Sequence, residues 1–251
     1  MKKHLTLLTY LATAHLGGLV CLMVFRLCFF FSLHSALAAE TTSAWPAFLR
    51  GLWMDNVIGS YILLLPLLVV LVAQLCGRGG KGLLRFLNIW MGGFYALAFA
   101  AAAANIPFYN YFNQPLNSTI WQWAAYPSQT VGMLFGEATW WKYIALWAVV
   151  TAVYAYGLFR WRRYLGHRLP AFPKNWRERG VSLALWLPIC GLCVLGARGR
   201  LGYNPIKISA AYYCDNADLN NLGLNATFNL LNSTLDDARK ENRPLQLMDE
   251  N

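Results

Sequence analysis

Apolar residues fall in five long runs, at about 5–33, 57–75, 86–104, 143–159 and 181–197, separated by polar or aromatic stretches. Such runs predict transmembrane helices, because a helix rises ~1.5 Å per residue and has ~30 Å of hydrocarbon to cross. Val57–Leu75 is the clearest, nineteen residues without a formal charge. Pro66 and Pro188 predict kinks in the second and fifth spans. From Ala96 the third run is mostly alanine, small enough for close helix contact. The pattern predicts an all-α, polytopic membrane protein: a five-helix transmembrane bundle over 1–197, with interfacial helices, followed by a C-terminal extracytoplasmic helical tail over 198–251. The first run ends in Ala36-Leu37-Ala38, which resembles a signal-peptide cleavage site. That run is too long for a cleaved leader and Arg26 interrupts it, so an uncleaved first span is expected.

The polar stretches orient these spans. Arg160–Gly180 holds seven Lys/Arg and one acid, Glu178. Short loops of this kind stay on the cytoplasmic side. Twelve positives then lie inside (Lys2, Lys3, three in 76–85 and seven in 160–180), against Arg50 and Lys142 outside. The expected location is the cytoplasmic (inner) membrane, multi-pass, N-terminus inside and C-terminus outside. Ala39–Trp53 reads as an outer loop, with Trp45 and Trp53 as interface anchors. Asn105–Trp141 carries one formal charge, Glu137, and many aromatic residues, Trp121 and Trp123 among them. It reads as short helices lying on or dipping into the outer leaflet, with Trp121 and Trp123 as contacts for lipid headgroups or as an aromatic belt.

In the tail, Asn225 is placed to cap a helix running to about Lys240, with Phe228, Leu231 and Leu235 on one face. Arg198 and Arg200, just after the fifth span, either meet outer-leaflet phosphates or serve as a topological flank. The triplets at Asn117, Asn225 and Asn232 match the short N-glycosylation pattern.

Charged residues make up only 13% of the chain, about half the share in soluble domains, so the apolar excess belongs to spans. The net charge of +10 is accounted for by the membrane loops and calls for no nucleic acid. The six cysteines form no framework; Cys190 and Cys193 lie within a span and read as small hydrophobes. Arg26 requires an explanation, because an arginine in hydrocarbon costs at least ~2.5–3.5 kcal/mol unless it snorkels or is paired. It either snorkels to headgroups or pairs with Asp55, which opens the second span from the same side.

The order of elements resembles the membrane half of lipoteichoic acid synthase-like proteins. The strings carrying the resemblance are Asp55 with Tyr61-Ile62-Leu63, and Asn105-Ile106-Pro107-Phe108. After the fifth span come Arg198-Gly199-Arg200-Leu201-Gly202 and Asn220-Asn221-Leu222-Gly223-Leu224-Asn225. The resemblance implies transfer of phosphoglycerol, phosphoethanolamine or a related headgroup from an anionic phospholipid donor. It places catalysis in an extracytoplasmic domain of the sulfatase and alkaline-phosphatase superfamily, with a Thr nucleophile and a divalent metal, often manganese. The sequence stops at Asn251, before such a domain, and the tail from Arg198 has no His and only scattered acids. No catalytic residue, metal ligand or cofactor is therefore carried over. The expected partners are membrane lipids and a catalytic domain in the same or another chain. The alternative is a non-enzymatic polytopic membrane protein, a transporter subunit or envelope assembly factor; the absence of a visible repeat and of charge at the centres of spans two to five weighs against a transporter.

Overall fold

The computed structural model describes residues 2–38, 40–124, 126, 138–166, 172, 173 and 175–239. Among the described residues the fold is all-α. The long helices are α1 (Lys2–Ser32), α2 (Trp45–Cys76), α3 (Lys81–Phe112), α5 (Ala138–Gly166) and α6 (Trp176–Arg198). Short helices are α4 (Ile120–Ala124), α7 (Ala217–Leu222) and α8 (Ala226–Asp237), with a 3₁₀ turn at Ile208–Ala211. All five long helices are long and apolar enough to cross a membrane. The chain is a multi-pass helical membrane protein.

The helices overrun the apolar runs, which corrects two expectations. Trp45–Trp53 is not loop but the first turns of α2, with Pro46 in the first turn, where its missing N–H costs nothing. Asn105–Phe112 is not a separate interfacial helix but the end of α3, continuing through Pro107. α4 is the only short helix described in the aromatic segment; 127–137 lies outside the described residues, as does much of the basic loop (167–171 and 174). At 32 residues each, α2 and α3 span about 48 Å, well beyond a ~30 Å hydrocarbon core. Their excess turns form a platform at one end of the bundle.

α1 packs against α2, α3 and α5, while α6 packs on α2 and α5 on α3. Glycines bring the spans close. A Cβ at Gly18 would lie 2.1 Å from the Tyr95 ring, and one at Gly196 2.5 Å from the Ser60 hydroxyl. Cys193 donates to the Ser60 carbonyl (3.2 Å), and both Cys190 and Cys193 are buried between α6 and α2.

Residues 198–239 fold back over the platform as a cap. Ile206, Ala211, Leu224 and Phe228 join the same core as Phe25, Met54, Tyr95 and Phe99. Leu222 joins Phe29, Ala47, Ile106 and Tyr109. The composition change near residue 198 therefore does not coincide with a break in packing. α8 is capped by Asn225, whose side chain accepts from the Phe228 N–H at 2.9 Å. Its buried face is Ala226, Phe228 and Asn229, not the expected Phe228–Leu231–Leu235 stripe; Leu231 and Leu235 are exposed. Hydrogen bonds to Asn229 help select that face.

Candidate functional site

Asparagines hold the cap in place. Buried beneath a polar strand of chain, they supply both donors and acceptors to backbone that has no helix or sheet partner. Asn220 accepts from the Tyr213 N–H (2.8 Å) and donates to the Cys214 carbonyl (2.7 Å). Asn105 of α3 accepts from the Leu116 N–H, and Asn229 of α8 donates to the Leu116 carbonyl, each at 2.8 Å. The loop after α3 is thus clamped between platform and cap. Further ties run from Trp53 Nε1 to the Gly199 carbonyl (2.6 Å), from Arg50 to the Ala210 carbonyl (2.6 Å) and from the Tyr109 hydroxyl to Asp218 (2.6 Å). At the rim, Asn216 donates to Glu40 at 2.5 Å. Hydrogen bonds from Thr42 and Asn216 pull the Glu40 carboxyl down to about 2, and burial pushes the Tyr213 phenol up to about 12.

At the centre of this contact are Arg26 and Asp55. Arg26 donates to Asp55 Oδ1 at 2.6 Å, with the two side chains 6% and 1% exposed. The other terminal nitrogen of Arg26 donates to the Leu222 and Leu224 carbonyls of the cap. Asn225 Nδ2 donates to the same Asp55 oxygen at 2.7 Å, while its own oxygen caps α8. One buried charge pair therefore joins α1, α2, the α7–α8 turn and α8. A cavity of about 30 Å³ lies beside it, lined in part by Arg26, Asp55, Asn105 and Asn225. Arg26 Nε and Asp55 Oδ2 are buried without a protein partner. The cavity has room for about one water.

The other predicted contacts lie apart from this pair. Arg198 donates to the Gly202 (2.7 Å) and Tyr203 carbonyls, closing the turn that follows α6. Arg200 is exposed on that turn. Trp121 donates to the Thr234 hydroxyl of α8 at 2.8 Å, and its ring is 54% exposed. Trp123 packs at a tilt against Phe108 and Phe112, with centroids 5.7 and 5.5 Å away. α4 is thus pinned to both α3 and α8, with Trp121 facing outward.

Two features escaped the sequence reading. Within the bundle, His15 hydrogen-bonds the Tyr95 hydroxyl (2.9 Å) and Asn56 Oδ1 (3.1 Å), a polar cluster joining α1, α2 and α3. Lone polar residues in separate apolar runs carried no local sign that they meet. Between α3 and α5, towards the cap, a groove of about 220 Å³ is lined by Ala100, Ala103, Ala104, Pro107, Tyr143 and Trp147. The ammonium of Lys142 stands 4.8 Å from the centre of the Tyr143 ring. Of the alanines expected to promote helix contact, Ala98 and Ala103 are buried in the core, while Ala100, Ala104 and one side of Ala103 line this groove. Among the described residues, no three His, Cys, Asp or Glu side chains converge on a metal-sized site.

Comparison with protein-family models, with curated proteins and with solved structures gives no match. The class that fold and site define is a five-span helical membrane protein with a polar cap tied to one end of its bundle.

Proposed function

We propose that this chain is the membrane-embedded, lipid-facing part of a lipid-headgroup transferase similar to lipoteichoic acid synthase-like proteins. It sits in the cytoplasmic membrane with the cap outside. In this reading the phosphoglycerol or phosphoethanolamine transfer is performed by a metal-dependent catalytic domain, and this chain holds that domain over its anionic phospholipid donor. The observation carrying the proposal is the cap itself. It is fastened through a buried ion pair at one end of the bundle, a firmer mounting than a flexible linker provides. The alanine-lined groove beside it suits one acyl chain, with Lys142 near the headgroup. The arginine-dense opposite end supports the orientation.

The test uses purified Met1–Asn251 in vesicles containing a photoactivatable phosphatidylglycerol. Label is expected on the groove and on α4 near Trp121, with no metal-dependent release of phosphoglycerol by this chain alone. Release of phosphoglycerol with manganese, or label that ignores the headgroup, would refute the proposal.

The His15–Asn56–Tyr95 cluster favours a second reading, a transporter subunit, because ionisable groups deep in a bundle often line ion or proton paths. Proton or solute flux in the same vesicles, lost on His15→Ala, would select it.

A further inference from the structure

At the end of the bundle away from the cap, α3 begins in a way that conflicts with its own electrostatics. The chain enters it through Arg78-Gly79-Gly80-Lys81-Gly82. Gly80, the N-cap, has φ +149° and no side chain to accept from the first N–H groups, and the first turn holds no acid. Among the described residues nothing lies within 4 Å of where a Cβ would stand at Gly80 or Gly82, while the Phe172 ring covers Gly79 just before them. A helix N-terminus carries roughly half a positive charge and is stabilised by anions. Here it meets Lys81 at its first position instead.

The fold adds further positive charge at this point. The end of α5 brings Arg162 and Arg163 beside Lys81 around a cavity of about 160 Å³, with Leu84 and Gly166 the other described residues that line it. That is the volume of about five waters. Arg163 suits the C-terminal dipole of α5, but no dipole accounts for Lys81 or Arg162. The ion pairs among the described residues are Arg26–Asp55 and Arg239–Asp236, so none of the three cations has a carboxylate partner among the described residues. Arg162 and Arg163 stand over the Phe159 ring at 5.5 and 5.6 Å, which orients them without neutralising them.

Three cations without a carboxylate partner among the described residues, a helix start at Gly80 with no side-chain cap and the volume that the cations line call for one ligand chemistry, a phosphate oxyanion. We infer that this cavity binds the phosphodiester headgroup of an anionic phospholipid in the leaflet opposite the cap. A lipid is favoured over free phosphate because the cavity lies between the ends of two spans and one wall is the core residue Leu84. The acyl chains would continue along α3 and α5 into hydrocarbon. The site is independent of the transferase reading and lies at the other end of the molecule.

The experiment is native mass spectrometry of the full chain in detergent, titrated with phosphatidylglycerol or with phosphatidylcholine of the same chains. Phosphatidylglycerol should be retained preferentially. Losing two juxtamembrane charges in R162Q/R163Q should weaken that retention by roughly 30-fold, and Lys81→Gln alone by about fivefold. Lys207→Gln, on the exposed side of the cap, should have no effect. Lys81 is itself exposed, so its variant keeps the test readable if the double variant folds poorly. The inference is overturned if phosphatidylglycerol binds no better than phosphatidylcholine, or if Lys81→Gln binds it like the parent. It is equally overturned if inorganic phosphate alone binds, is lost in the same variants, and displaces the lipid; that outcome defines a free-phosphate site.

Discussion

Arg26 and Asp55 lie in different spans, 29 residues apart, yet their side chains meet at 2.6 Å with almost no exposure. Removing either partner strands a buried charge, which costs about 3–5 kcal/mol, whereas removing both leaves nothing to strand. Arg26→Ala and Asp55→Ala should each destabilise the chain strongly. The double variant should lose less than the two losses added, by about 1–3 kcal/mol. Reversible unfolding in mixed micelles measures the cycle, and strict additivity would show that the pair is not coupled.

Asn225 separates capping from charge recognition. Asp is as good an N-cap as Asn, so Asn225→Asp should leave α8 capped. It would also replace a donor to Asp55 with a second carboxylate. We expect Asn225→Asp to loosen the cap more than Asn225→Ala, which loses about 1 kcal/mol of capping and one hydrogen bond. Protease cleavage between residues 212 and 224 reports the order, and the reverse ranking would mean that the contact with Asp55 contributes little.

Close helix approach at Gly18 should be intolerant of a methyl group. A Cβ there would meet the buried Tyr95 ring at 2.1 Å, and the ring has no space to retreat, so Gly18→Ala should cost about 1–3 kcal/mol. Gly157 has nothing within 4 Å and should accept alanine with a small gain in helix propensity. Thermal unfolding of the two variants in the same detergent distinguishes them.

Glu40 makes the cap rim sensitive to acid. Its carboxyl is held at about 2 rather than 4.5, chiefly by Thr42 and then by Asn216. A carboxylate depressed on folding contributes its stability above its ordinary value and loses it as pH falls towards the folded one. Pepsin should therefore cut residues 212–224 more slowly in the parent than in Glu40→Gln at pH 4.5, with the difference vanishing towards pH 2. A constant ratio across that window would show that Glu40 does not fasten the rim.

The native cysteines test the topology without substitution. Cys76 is exposed at the end of α2, and Cys214 is half-buried in the cap. An impermeant maleimide should reach them from opposite faces of a sealed vesicle. Labelling of both from one face would invalidate the bundle orientation and, with it, the proposed function.

Much of this fold was legible in the chain. Span number and type follow from run length, because backbone in hydrocarbon has to satisfy its own hydrogen bonds and helices do so locally. The Asn225 cap was readable for the same reason, since the acceptor and the N–H it serves are three residues apart. Helix ends were less legible: α2 begins before its apolar run and α3 continues past its own because the cap, not lipid, covers those turns. The face of α8 was misjudged because apolar period alone pointed to Leu231 and Leu235, while Asn229 hydrogen-bonds a loop from another part of the chain.

The sequence by itself determined that five helices enter a membrane and that most of the positive charge gathers at one end, since both depend on solvation of neighbouring residues. Only the tertiary structure decided that the stretch after Arg198 is a cap, and which polar groups meet beneath it. Arg26 binds carbonyls 196 and 198 residues away, and His15 meets Tyr95 across 80. Desolvated polar groups require partners, but where the chain brings those partners depends on how all the helices pack together.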